Sequence, residues 1–121
     1  MMLNDQEILR YSRNIILPEI GGRGQEKLIN SKVLAIGAGG LGSPLIMYLA
    51  AAGIGNITVM DDDNVDISNL QRQVIHNMET LGLSKVESAK AFVNKLNPDI
   101  QIKAINKKID NKNVNIIVQE H

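Results

Sequence analysis

Three glycines set in a single turn are the residues of this 121-residue chain whose type and spacing speak most directly of chemistry. Gly37-x-Gly39-x-x-Gly42 follows the apolar run Val33-Leu34-Ala35-Ile36 and precedes Ser43 to Ala52, an apolar stretch with small residues. In a strand–turn–helix unit the first glycine permits the tight turn. The second lets the backbone approach a phosphate, and the third lets helix and strand pack closely. The N–H groups freed at the helix start, with the positive end of its dipole, then face an anion. As a bare pattern the same spacing also occurs in turns that bind nothing. Asp61 opens the acidic run Asp61-Asp62-Asp63 at the end of the next apolar segment, about twenty residues past the glycines, where such folds place an acid on ribose hydroxyls. The alternative is a solvated acidic loop; Asp62 suits solvent, and Asp63 suits either role. His76 and His121 have no companions at metal-ligand spacing and are read as bystanders. Without cysteine the chain has no disulfide, thiolate nucleophile or Cys-ligated zinc.

The elements that must position these residues follow from patterning. Apolar residues make up 44% of the chain and charged residues 21%, ordinary for a globular domain, and the net charge is zero, which removes any global electrostatic case for nucleic acid or an anionic membrane. No apolar run nears the ~20 residues of a membrane helix, and the N-terminus is no signal peptide, so a cytoplasmic protein is expected. Residues 1–30 are predicted to form a helical arm. It has a short helix over residues 4–11 capped by Asp5 with Ile8, Leu9 and Tyr11 on its apolar face, a flexible Gly21-Gly22-Arg23-Gly24, and a helix from Gln25 to Ile29. Residues 31–121 are predicted to form the second part. A strand ends at Ile36, a helix runs from Ser43 to Ala52 and a second strand from Asn56 to Met60. A polar, irregular excursion over Asn64 to Asn77 follows. Ser84-x-x-Glu87 is a capping box opening a helix through Leu96, and Ile100 to Ile105 alternates as a strand should. Asp110 or Asn111 is expected to cap a last helix through Val114, Ile117 and Val118.

This order predicts an α/β, Rossmann-like parallel sheet with strands in the order third, second, first. The first strand is apolar on both faces, as in a strand buried centrally, yet this order leaves it at an edge. A fourth strand on that open side is the natural next element, and the sequence does not supply it. The expectation is a truncated domain or one piece of a split protein.

Several features coincide beyond the glycine turn. Arg13-Asn14-Ile15-Ile16-Leu17-Pro18-Glu19-Ile20-Gly21 precedes Gly37-Ala38-Gly39-Gly40-Leu41-Gly42-Ser43-Pro44. Then come Asp61-x-Asp63-x-Val65-x-x-Ser68-Asn69-Leu70-Gln71-Arg72-Gln73 and Gly82-x-x-Lys85. Together these resemble the N-terminal half of the ThiF/MoeB/HesA-type adenylyltransferases, bacterial relatives of ubiquitin-activating enzymes. The resemblance implies adenylation of the C-terminal glycine of a ubiquitin-like sulfur-carrier protein, using ATP and magnesium, for molybdopterin or thiamine synthesis. It implies that Gly40, with Gly37, Gly39 and Gly42, packs against the nucleotide and that Asp61, beside Asp63, binds the ribose. Asn69, Arg72 and Lys85 would contact the phosphates, with Arg72 and Lys85 also catalytic. Arg13 would be an arginine finger reaching into the partner subunit's site of a homodimer. Such residue types suit the reaction, since fixed cations stabilise the charge of departing pyrophosphate and guanidinium forks match phosphate oxygens. The family's magnesium-binding aspartate lies on the strand after the last helix seen here, so no metal ligand is assigned and independent activity is doubtful. A complementing C-terminal half is the other partner considered. Two other classes stand beside this reading: a nicotinamide-dependent oxidoreductase, which shares the turn and the acid, and a non-enzymatic remnant or dimerisation module.

Overall fold

A computed structural model describes residues 2–121; Met1, where the arm is expected to begin, lies outside the described residues. The arm opens with α1 (Asp5–Arg10). Its cap is Asn4 rather than Asp5: the Asn4 Oδ1 accepts the Glu7 N–H at 2.8 Å, and Glu7 Oε1 accepts the Asn4 N–H at 2.9 Å. Asn4 wins because it stands three residues before a glutamate able to reach back. Of the apolar face expected here only Tyr11 is buried, while Ile8 and Leu9 are exposed. After α2 (Ser12–Ile15) comes α3 (Gly21–Ile29). Gly21 to Gly24 are therefore helical, not flexible. The Gly24 N–H donates to the Ile20 carbonyl at 2.8 Å, and the helix is held by fully buried Gln25 and by Leu28 against the core. Packing overrides the poor propensity of glycine.

The remaining elements are β1 (Lys32–Ile36), α4 (Gly42–Ala52), β2 (Asn56–Met60), α5 (Lys85–Leu96), β3 (Gln101–Ile105) and α6 (Val114–Gln119). The strands form one open parallel sheet in the order β1-β2-β3, the arrangement the sequence predicts, so the fold is α/β and Rossmann-like. Val33, Ile57 and Ile102 stand in register, as do Ala35, Val59 and Ala104. Because side chains alternate along a strand, Ile57 and Val59 share the core with Ile46 and Ala50 of α4 and with Val86, Ala89 and Val93 of α5. Each large side chain so buried stabilises the fold by about 1.5–3 kcal/mol. At the open edge β1 is less covered than its sequence suggests, with Ile36 54% exposed.

Ser84 caps α5 by accepting the Glu87 N–H. Ahead of α6 the cap residue is Asn113, not Asp110 or Asn111. Asp110 instead accepts the N–H groups of Lys112 and Asn113 through Oδ1, ordering the turn that leads in. His121, at the end of this segment, lies 2.6 Å from Thr58 Oγ1 and so is tied to β2. Among the described residues no helix is long and apolar enough to cross a membrane.

Candidate functional site

At the C-terminal end of β1 the Gly37 N–H donates to the Met60 carbonyl at 2.8 Å, continuing the ladder one residue beyond the strand. Gly37 then turns with φ +100°, a region that favours glycine. Gly42 must lack a side chain for another reason: a Cβ there would stand 2.0 Å from the Gly37 carbonyl oxygen. The turn is thus folded back on itself, and Ser43 N–H closes it on the Gly39 carbonyl at 2.8 Å. Among the described residues no group accepts from the N–H of Gly39, Gly40 or Leu41. These donors sit at the start of α4, with the dipole of that helix behind them.

Asp61 grips the turn from the end of β2. Its Oδ2 accepts the Ala38 N–H and its Oδ1 accepts the Asp63 N–H, both at 2.8 Å. Each carboxylate oxygen can accept more than one bond, so capacity remains for a ligand hydroxyl. The carboxylates of Asp61, Asp62 and Asp63 converge within 4.8 Å. Asp61 accepts from two backbone amides and Asp63 faces Lys85, so Asp62 is the least engaged of the three. Alongside lies a cleft of about 290 Å³, lined by Ile36, Met60, Asp61 and Asp63 on one side and by Lys107 and Ile109 on the other.

The cations come from the excursion and from α5. Val65 N–H donates to Leu83 O at 2.8 Å and Gly82 N–H to Val65 O at 3.0 Å, closing the excursion at its base. Beside this closure the Lys85 N–H donates to Asp63 O at 2.9 Å. Lys85 is only 6% exposed, with Nζ 3.7 Å from Asp63 Oδ2. Within the excursion Asp66 and Asn69 cap a short 3-10 turn reciprocally, Asn69 Oδ1 accepting the Asp66 N–H. The backbone N–H and hydroxyl of Ser68 both donate to Asp66, holding its carboxyl below the usual carboxylate value. That turn delivers Arg72, whose guanidinium Nη1 donates to the Ser68 carbonyl at 3.3 Å. A Cβ on Gly40 would lie 3.5 Å from Arg72 Nε.

The structure therefore brings Gly37, Gly39, Gly40, Gly42, Asp61, Asp63, Arg72 and Lys85 to one end of the sheet, with Asn69 three residues from Arg72. It does not bring Arg13. The neighbouring Asn14 donates to the Ala52 carbonyl at 3.3 Å, at the far end of α4. That helix has 11 residues and is about 16 Å long, so the glycine turn of the same chain lies well away from the arm.

Sequence reasoning missed the layer beneath the turn. His76, read as a bystander, is 4% exposed, with Nε2 2.8 Å from the Ala38 carbonyl and Nδ1 2.7 Å from Ser88 Oγ. Burial lowers its pKa from the ordinary 6.5 more than the Ala38 carbonyl raises it, and nearby Lys85 lowers it further. Ser43 Oγ accepts the Ile75 N–H at 3.1 Å. Gln73 is buried beside Gly39, and its Oε1 has no partner among the described residues. The only signal in the sequence is that His76 directly follows Val74-Ile75, an apolar pair inside a polar excursion.

Comparison with known proteins bears on the whole arrangement. The model of the ThiF family matches residues 11–121. The chain is 48% identical over 118 residues to the SAMP-activating enzyme E1 of Haloferax volcanii, covering 98% of this chain and 44% of that protein. It is 47% identical over 119 residues to the molybdopterin-synthase adenylyltransferase of Escherichia coli, covering 98% and 48%. Among solved structures, the tRNA N6-threonylcarbamoyladenosine dehydratase TcdA of E. coli in complex with ATP superposes with a TM-score of 0.92 at 25% identity, over 100% of this chain and 49% of that one. The chain spans less than half the length of each of these proteins.

Proposed function

The chain belongs to the ThiF family, and from that premise we propose that it forms the ATP-binding part of an adenylyltransferase acting on the C-terminal glycine of a ubiquitin-like sulfur-carrier protein, in molybdopterin or thiamine synthesis. One observation carries the reading. Two cations stand at the end of the sheet that carries the glycine turn: Arg72 against Gly40, and buried Lys85 beside Asp63. The N–H groups of that turn at Gly39, Gly40 and Leu41 have no acceptor among the described residues. A nicotinamide dinucleotide also uses the N–H groups of such a turn for its pyrophosphate, but the more highly charged triphosphate is what calls for Arg72 and Lys85 in addition. The family membership sets the oxidoreductase alternative aside.

In the proposed reaction a carboxylate oxygen of the carrier's terminal glycine attacks the α-phosphorus of ATP. The bond to the β-phosphate oxygen breaks, leaving an acyl adenylate and pyrophosphate. Arg72, Lys85 and the turn's N–H groups offset the charge that builds on the leaving phosphates. Asp61 accepts from the ribose, and the cleft between Ile36, Met60 and Ile109 takes the base. Magnesium would arrive with the nucleotide and offset part of the phosphate charge. Since Arg13 stands at the far end of α4, it serves the site of a second copy, in a homodimer in which each site is completed across the interface. The setting proposed for this chemistry is the cytoplasm.

The test is thermal stability of the chain titrated with ATP–Mg and, separately, with NAD. A ligand that binds only the folded state raises the melting temperature with its concentration. ATP is expected to do so, NAD is not, and Arg72→Ala is expected to abolish the response. A preference for NAD, or an undiminished ATP response in Arg72→Ala, would refute the proposal.

A further inference from the structure

We propose that His76 is a positioning residue for the nucleotide site: by holding the Ala38 carbonyl inward, it turns the next N–H, that of Gly39, outward to meet a phosphate. The proposal rests on the reading of the site given above and assigns a role to a buried group that the reaction does not otherwise use.

The geometry begins with a carbonyl oxygen, which can only accept. His76 Nε2, 2.8 Å from the Ala38 oxygen, must therefore carry a proton. In a neutral imidazole Nδ1 is then the acceptor, and the Ser88 hydroxyl 2.7 Å away donates to it. The ring is fixed at both nitrogens and is buried. A trans peptide is planar, with C=O and N–H pointing in opposite directions. Drawing the Ala38 oxygen down onto His76 therefore aims the Gly39 N–H the other way, and no described residue takes it. Ala38 itself has no freedom to rotate, being fully buried with its own N–H bound by Asp61 at 2.8 Å. Asp61 fixes one peptide of the turn and His76 the next. The free amide that a phosphate would meet is set in advance by a residue that never touches it. The charged groups facing the ring are Lys85 from α5 and Asp61 from the end of β2, of opposite sign, and burial leaves the imidazole neutral between them.

The test uses the whole chain and reads two quantities. Without nucleotide, nitrogen–proton NMR of the imidazole should show the proton on His76 Nε2 at neutral pH, and His76→Phe should displace the Ala38 carbonyl and Gly39 amide resonances. With ATP–Mg, His76→Phe should weaken binding by about tenfold or more, the effect of misdirecting one donor to a charged group. His76→Gln, whose amide can still donate to Ala38, should restore most of it. Ser88→Ala, which removes the second tether of the ring, should give an intermediate loss and serves if His76→Phe does not fold. A proton on Nδ1, a cationic ring at neutral pH, or unchanged Ala38 and Gly39 resonances in His76→Phe would overturn the proposal. So would equal losses in His76→Phe and His76→Gln. If the unaltered chain ignores ATP, the proposed function fails, and the nucleotide-free resonances still decide the role of His76.

Discussion

Two glycines of one turn should respond differently to the same substitution. At Gly42 the added Cβ would meet the Gly37 carbonyl oxygen at 2.0 Å, and backbone cannot step aside cheaply. Gly42→Ala is expected to lower stability by about 1–3 kcal/mol, seen as a lower urea midpoint. At Gly40 the nearest atom is Arg72 Nε at 3.5 Å, an ordinary contact with a movable side chain. Gly40→Ala should fold normally and lose affinity for ATP. A pH dependence also belongs to this scale. Burial depresses the pKa of His76 in the folded state below the ordinary 6.5, so below about that pH the unfolded chain binds the extra proton first. Stability is therefore greatest above 6.5 and falls as the pH drops toward the folded value; melting temperatures across this range should show a step that His76→Gln removes. The glycine spacing and Asp61 were legible in the sequence because their meaning is local, a turn and a strand end. His76, Ser43 and Gln73 were not, because the groups they meet at the turn and across from it, Ala38, Ile75 and Gly39, lie more than thirty residues away along the chain.

The elements themselves were legible wherever an apolar run had a period. β1, β2, β3, α4 and α5 fall where patterning places them. The caps of α1 and α6 were displaced, since capping depends on which nearby side chain reaches back. The arm was the hardest to foresee, for it is held by buried polar contacts rather than by an apolar face. Asn97 Nδ2 donates to the Tyr11 hydroxyl at 2.7 Å, Asn14 donates to Gln25 Oε1 at 3.0 Å, and Gln25 donates to the Ala52 carbonyl at 3.0 Å. Tyr11 and Gln25 both close on Gly53, where φ is +97° and a Cβ would meet them within 2.8 Å. Tyr11→Phe strands a buried donor on Asn97, which costs about 1–3 kcal/mol. The expected result is faster proteolysis in the arm than in the sheet.

At the scale of the molecule, the proposed homodimer follows from where the arm sits. Fixed to the C-terminal end of α4, the arm keeps Arg13 from its own turn while exposing Leu9, Ile16 and Leu17. Sedimentation should show self-association that rises with concentration, and Leu9→Glu with Leu17→Glu should abolish it without lowering the melting temperature of the monomer; a monomer at all concentrations would sink the proposal. The other large-scale feature is the excursion tied off by Val65 and Leu83. The loop is anchored in the core through Ile75 and His76, and doubling the length of a closed loop adds only about 0.6 kcal/mol of closure entropy. Descendants of this chain could lengthen the exposed tip around Met78 and Glu79 almost without penalty, while the anchored part carrying Arg72 stayed put. The fold thus separates the anchored part of the excursion, which carries Arg72, from an exposed stretch whose length can vary.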